Sequence, residues 1–308
     1  MVRLGLCCIF RERPIKFFTT TAAAVSRMSR ADGLEKIARL CGANAAALLA
    51  ALGYCAANGI GCFRVGSQIL PIKMHPTRGY QIDALPGADE IVGKFQACGA
   101  FAKAHGLRLC FHPDQFVVLN SGRPEVVAAS IQEIEYQAEV AQWIGADVIN
   151  IHAGGAYGDK PAALSAFARG VDRLSANARE RLTVENDDLL FAPADLLPIC
   201  RAAGLPLVYD IHHHRCHPDG LSELEATQGA ISTWNREPLF HISSPIQGWG
   251  GPHPRRHHDY IDLCDFPTFW QDLSITVEVE AKAKELAVAR LRQGLRRRQS
   301  RDRQNQRP

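Results

Sequence analysis

The chain has 308 residues, 46% of them hydrophobic and 22% charged, with a formal net charge of +3. This is an ordinary soluble globular composition, long enough to bury a substantial core. Ten cysteines at irregular spacing, in a chain of this length for which no signal peptide is expected, argue against a secreted disulfide scaffold. Cys7 and Cys8 read as reduced, buried small hydrophobes. No apolar run is expected to reach the ~20 residues of a membrane span, so the expectation is a reduced cytoplasmic protein, nucleoid-associated if bacterial; a monomer is expected as well. The charge is uneven. Eight arginines lie between Arg290 and Arg307 against one acid, Asp302, and the remainder of the chain is slightly acidic.

In chain order, short apolar runs alternate with longer amphipathic stretches. Residues 2–8 predict a strand, and the Ala/Leu-rich segment 32–57 predicts a helix that Asn58-Gly59 stops. Strands follow at 60–65, 107–111, 147–151, 182–184, 207–209, 239–242 and 274–279. Helices are expected at 88–105, 124–144, 160–178, 193–203, 221–234 and 282–298. Strict alternation with short turns implies parallel strands and right-handed crossovers. Eight such units predict a single-domain (β/α)8 TIM barrel over residues 1–284. A doubly wound open sheet is disfavoured because no Gly-rich phosphate loop follows the first strand. Residues 285–308 are expected to be a basic helix and tail, partly disordered and fraying near Ser300. Two long connections, 66–87 and 243–268, would shape a groove.

The residues that follow each strand carry the chemistry. The third strand ends in His112-Pro113-Asp114, the fourth in His152, the fifth in Glu185-Asn186-Asp187 and the sixth in Asp210-Ile211-His212-His213-His214. The seventh ends in His241, the eighth in Glu278-Val279-Glu280, and His257-His258-Asp259 precedes the eighth. A lone His after an apolar strand is usually a satisfied polar residue. Six successive strands that each end in an imidazole or carboxylate are another matter, because uncompensated carboxylates in an apolar barrel are costly and divalent ions would compensate them. Mixed imidazole and carboxylate without converging thiolates suits Mn, Zn or Fe. The ligand count implies two or three ions, an arrangement suited to in-line displacement at phosphorus. His75 and His105 lie outside the pattern.

These segments resemble the UV damage endonuclease family. The resemblance is carried by His112-Pro113-Asp114-Gln115-Phe116-Val117-Val118-Leu119-Asn120-Ser121, by residues 150–160 (NIHAGGAYGDK), by Glu185-Asn186-Asp187-Asp188 and by residues 210–215 (DIHHHR). His241-Ile242-Ser243-Ser244-Pro245, His258-Asp259-Tyr260-Ile261-Asp262 and Glu280-Ala281-Lys282 continue it in order, from about Leu4 to Lys284. The resemblance implies a TIM barrel with two or three divalent ions, Mn2+ foremost, with Zn2+, Mg2+ or Fe as alternatives. It implies double-stranded DNA carrying UV lesions as partner and incision immediately 5′ of the photoproduct, leaving 3′-hydroxyl and 5′-phosphate. The implied ligands are His112, His152, Glu185, Asp210, His213, His241, His258 and Glu280, with Glu185, Glu280 and His241 central to catalysis. Gln115 and Phe116 take the family's places for probing the damaged pair.

Three positions depart from the family. Leu239 stands where many members have a modified Lys, Leu6 replaces an aromatic, and Phe10 replaces a polar residue. Further DNA contacts are expected among Tyr157, Lys160 and Arg215, and less firmly Arg64, Lys73, Arg78, Tyr80 and Arg256. The competing readings are an apurinic endonuclease of the endonuclease IV type, a sugar isomerase, an iron-cluster oxidase and a non-catalytic damage-binding module.

Overall fold

The computed structural model describes residues 2–305, with side chains through residue 301. Its strands are β1 (Arg3–Cys7), β2 (Cys62–Val65), β3 (Arg108–Phe111), β4 (Val148–His152), β5 (Leu182–Glu185), β6 (Leu207–Asp210), β7 (Leu239–Ile242) and β8 (Thr276–Val279). They neighbour one another in chain order and β8 returns to β1, closing the eight-stranded parallel barrel that the alternation predicts. The strands are four or five residues long and almost wholly buried, as strands covered on both faces must be. The helices are α1 (Ala22–Ser26), α2 (Arg30–Ala57), α3 (Ala88–Ala104), α4 (Pro124–Ile144), α5 (Lys160–Val171), α6 (Ala176–Arg181), α7 (Pro193–Ala203), α8 (Ile211–Cys216), α9 (Glu223–Ile231) and α10 (Glu285–Asn305).

Two compact units make up the chain. Among the described residues, the first comprises 2–12, 60–62 and 184–305. Its register pairs Val184 with Leu207, Asp210 with His241, and His241 with Glu278, while Gly5 of β1 pairs with Glu278 from the other side. Outside this sheet the ring of Trp270 lies 5.4 Å from Phe240, 5.7 Å from Phe266 and 6.2 Å from Tyr209, and its indole N–H donates to Thr227 Oγ1 at 3.0 Å. Truncating so buried a ring costs about 3–5 kcal/mol.

The second unit comprises residues 13–59 and 63–183. Here α2 packs on α3 and α3 on α4. Gly99 permits the second approach, since a Cβ there would meet the Ile144 backbone at 2.8 Å. By length and composition α2 is apolar enough to cross a membrane, which corrects the expectation that no segment is. The charge-free run from Leu40 to Phe63 causes this. Ile37, Cys41, Asn44, Ala45, Leu48 and Leu52 recur at helical spacing as its buried face, the pattern of a core helix.

Other departures are local. The helix expected at 160–178 breaks after Val171, because Ser175 accepts the Ala178 N–H and starts α6. The segment after β6 is helical, since Asp210 caps it through the His213 N–H. Helix α10 runs from Glu285 to Asn305. Leu291 and Leu295 are buried along it, and Arg298 donates to the carbonyls of Leu263 and Phe266. The end of the expected disordered tail, residues 306–308, lies outside the described residues. All ten cysteines are free thiols; Cys7 is buried as expected, but Cys8 is half-buried with a φ of 62°.

Candidate metal centre

In the first unit, β5, β6, β7 and β8 each deliver an acid or imidazole at or just past the C-terminal end. Glu185 and Asp210 are the last residues of their strands, and both are fully buried. Asn186 fixes their spacing: its Nδ2 donates to the Asp210 carbonyl and its Oδ1 accepts the Asp210 N–H, each at 2.9 Å. Asp210 Oδ1 accepts the His213 N–H, so α8 begins with the His213 ring turned back over the strand ends.

His213 Nδ1 lies 3.2 Å from Glu185 Oε1 and 3.6 Å from Asp210 Oδ2. Across the strand pair, His241 Nδ1 lies 3.1 Å from Glu185 Oε1, 3.5 Å from Glu280 Oε1 and 3.9 Å from Asp210 Oδ2. Donor atoms of Glu185, Asp210 and His213 all fall within 4.8 Å of one another. Burial opposes a charge on His213, but the carboxylates of Asp210, Glu185 and Glu280 outweigh it and hold its pKa well above the ordinary value.

This donor set fits divalent ions. Asp210 Oδ2 is buried without a hydrogen-bond partner, an arrangement that costs free energy unless a cation takes the lone pair. Three carboxylates and two imidazoles, with no thiolate among them, match a Mn, Zn or Fe site.

The His212-His213-His214 run divides its work. His214 is structural: Nδ1 meets the Tyr209 hydroxyl at 2.8 Å and Nε2 meets Asp219 at 3.0 Å. His212 is fully buried between the rings of Trp249 and His257, each 5.1 Å away, and burial lowers its pKa. His258 departs from expectation. Its Nδ1 accepts the Tyr260 N–H at 2.9 Å, and it lines a cavity of about 550 Å3 with Tyr260, Asp262 and Arg290. The preceding residue, His257, places Nδ1 3.8 Å from Glu280 Oε2. Sequence reasoning also left Glu278 unassigned. Its Oε2 is 2.9 Å from His241 Nε2, and its i, i+2 spacing from Glu280 on a strand was the available signal.

In the second unit, His112 follows β3 and His152 ends β4, with ring centroids 5.2 Å apart. Beyond β3, Asp114 accepts the Phe116 N–H and exposes Phe116, which is 76% accessible; Gln115 beside it is also exposed. Beyond β4, Asn120 Nδ2 holds the Gly155 carbonyl at 2.8 Å. Gly154 has φ 91°, and a Cβ there would strike Asn120 Oδ1. The Tyr157 ring lies over Gly155 and is 63% accessible, and Lys160 is half-buried at the start of α5.

Several expected DNA contacts are engaged within the protein. Arg215 forms a bidentate pair with Glu223 at 2.7 and 3.0 Å, donates to the Asp265 carbonyl at 2.9 Å and stacks on Trp249. These partners hold its guanidinium against the protein. Lys73 is buried and donates to the Tyr80 carbonyl and Gln81 Oε1; Tyr80 and Arg64 are buried as well. Arg256 is exposed and Arg78 half-buried. Leu239 and Leu6 are buried apolar residues, and Phe10 is half-buried.

Comparison with known proteins gives a concordant answer. Residues 2–304 match the family described as UV-endonuclease UvdE. A UV DNA damage endonuclease of Deinococcus radiodurans is 36% identical over 300 residues, covering 94% of each chain. Its counterpart from Bacillus velezensis is 32% identical over 296 residues, covering 92% of this chain and 89% of its own. The crystal structure of SacUVDE superposes with a TM-score of 0.85 at 27% identity, covering 97% of this chain and 99% of that one. Endonuclease IV from Thermus thermophilus shares the fold alone, at a TM-score of 0.59 and 19% identity over 81% of this chain and 94% of its own. The chain belongs to the UV-endonuclease UvdE family.

Proposed function

We propose that this protein is a metal-dependent repair endonuclease that incises double-stranded DNA immediately 5′ of UV photoproducts, leaving a 3′-hydroxyl and a 5′-phosphate. The observation that carries the reading is the buried convergence of Glu185, Asp210, His213, His241 and Glu280 at the C-terminal ends of four neighbouring strands. Membership of the UV-endonuclease family supplies the substrate class.

The reading assigns two or three ions, Mn2+ foremost, to Glu185, Asp210, His213, His241 and Glu280, with His112 and His152 as further ligands and His257 in the place expected of His258. Bound there, divalent ions would activate water and stabilise charge at the phosphorus and leaving oxygen. The chain's own residues set the geometry. Glu185 Oε1 lies 3.2 Å from His213 Nδ1 and 3.1 Å from His241 Nδ1, so its carboxylate would share an ion with either ring. Asn186 keeps Glu185 and Asp210 at fixed separation. Phe116 and Tyr157 are exposed aromatics suited to stacking on displaced bases, and a lesion lowers the cost of displacing them.

The test is nicking of UV-irradiated against untreated supercoiled plasmid, across Mn2+, Mg2+, Zn2+ and Co2+. Preferential nicking of the irradiated form, abolished by Glu185→Gln with the fold intact, is the expected result. Equal cutting of both forms, or preference for abasic DNA, defeats the reading.

A further inference from the structure

Glu278 is a carboxylate of β8 with 1% of its surface exposed, two residues before Glu280, which follows the end of the strand. Its register partners are His241 on one side and Gly5 on the other. Gly5 makes the space: a Cβ there would lie 3.3 Å from Glu278 Cγ and 3.2 Å from Cys62 Cβ. The immediate surroundings include strand backbone, buried thiols and the His241 ring, an environment in which a carboxylate is costly without a compensating donor.

His241 faces two ways. Nδ1 points at Glu185, Glu280 and Asp210, while Nε2 lies 2.9 Å from Glu278 Oε2. A neutral imidazole carries one proton, and a ring nitrogen that ligates a cation cannot keep it. With Nδ1 on the ligand side, the proton belongs on Nε2, where Glu278 accepts it.

We infer that Glu278 is a positioning residue of the metal centre: it fixes the tautomer and rotation of the His241 ring so that Nδ1 presents its lone pair to the ion. This rests on the metal-dependent reading above. It adds a buried layer beneath the ligands in which a strand carboxylate, not solvent, orients the imidazole. His241 itself is fully enclosed, so water cannot substitute for Glu278 without a rearrangement of β7 or β8.

The experiment is Mn2+ binding to the metal-stripped full chain by calorimetry, with no DNA present, for wild type, Glu278→Gln, Glu278→Leu, His241→Ala and the Glu278→Gln/His241→Ala pair. Glu278→Gln retains an acceptor of the same size, and is expected to weaken Mn2+ binding about 10-fold; Glu278→Leu, with no acceptor, about 100-fold. In the His241→Ala background the Glu278→Gln penalty should vanish, because the residue acts through that ring. Unchanged affinity in both Glu278 variants, or a penalty of the same size without His241, overturns the inference while leaving the metal reading standing. Wild-type protein that binds no divalent ion defeats both. A readout on the unaltered chain complements these: with 15N-labelled histidine and Zn2+ bound, the His241 Nε2–H should persist and resist exchange. Loss of that proton overturns the inference.

Discussion

Asn186 and Asp210 exchange a reciprocal pair of hydrogen bonds, side chain to backbone in both directions, each 2.9 Å long. The pair ties the end of β5 to the end of β6 and sets the distance between two buried carboxylates. Asn186→Ala would leave a buried N–H and a buried carbonyl unmatched. The expected cost is about 2–4 kcal/mol in urea unfolding, with Mn2+ affinity lowered about 10-fold because both acids lose their orientation. Wild-type affinity at reduced stability would show that the ligands hold their places without it.

His257 and His258 compete for one role. His257 Nδ1 is 3.8 Å from Glu280 Oε2, whereas His258 accepts the Tyr260 N–H and lines the cavity beside α10. His257→Ala is therefore expected to weaken Mn2+ binding by about 10-fold or more and to lower nicking. His258→Ala should keep its metal affinity. Calorimetry on the two variants side by side decides the assignment, and the opposite order restores His258.

Arg215 is committed to Glu223, Asp265 and Trp249. Arg215→Ala is expected to destabilise the fold by about 2–3 kcal/mol, since a part-buried bidentate pair and its packing are lost together. The slope of log affinity against log salt for DNA should not change, because each phosphate contact removed would shift that slope by about one. A shallower slope in filter-binding titrations would return Arg215 to the DNA surface.

The barrel was legible because β-α alternation is written in hydrophobic runs and their Gly and Asn stops. The ligand-bearing strand ends were legible because His and Glu are conspicuous after apolar strands. What hid was direction. Adjacent residues such as His257 and His258 diverge on an irregular loop, and no periodicity announces which one turns inward. Arg215 reads in sequence as a basic residue after a ligand motif; its partner Glu223 lies eight residues on across a turn, and Asp265 fifty residues on, so only the tertiary fold reveals the set. Glu278 was visible but unassigned, since one carboxylate two residues before another gives no hint of which His it meets. The Asp210 cap that turns residues 211–216 into α8 depends on a ligand side chain doing backbone work as well.

Asp219 carries the acid-side stability prediction. Helix α7 has Ala192 at its N-cap, which offers no side-chain acceptor, and Asp219 supplies one from a distant loop by accepting the Ala194 N–H at 2.6 Å. It also accepts the Leu221 N–H at 2.9 Å and meets His214 Nε2 at 3.0 Å. Burial alone would raise its pKa, but these donors outweigh burial and lower it. A carboxyl whose folded pKa is depressed stabilises the fold above its unfolded pKa, about 3.9, and that contribution is lost as pH falls from there through the folded value. Wild type should therefore lose stability across that acidic window. Asp219→Asn should be less stable at pH 7, by about 2 kcal/mol, yet fall less steeply below pH ~4. Urea titrations at stepped pH measure both quantities. Parallel acid profiles for the two proteins would mean that the proton is taken up elsewhere.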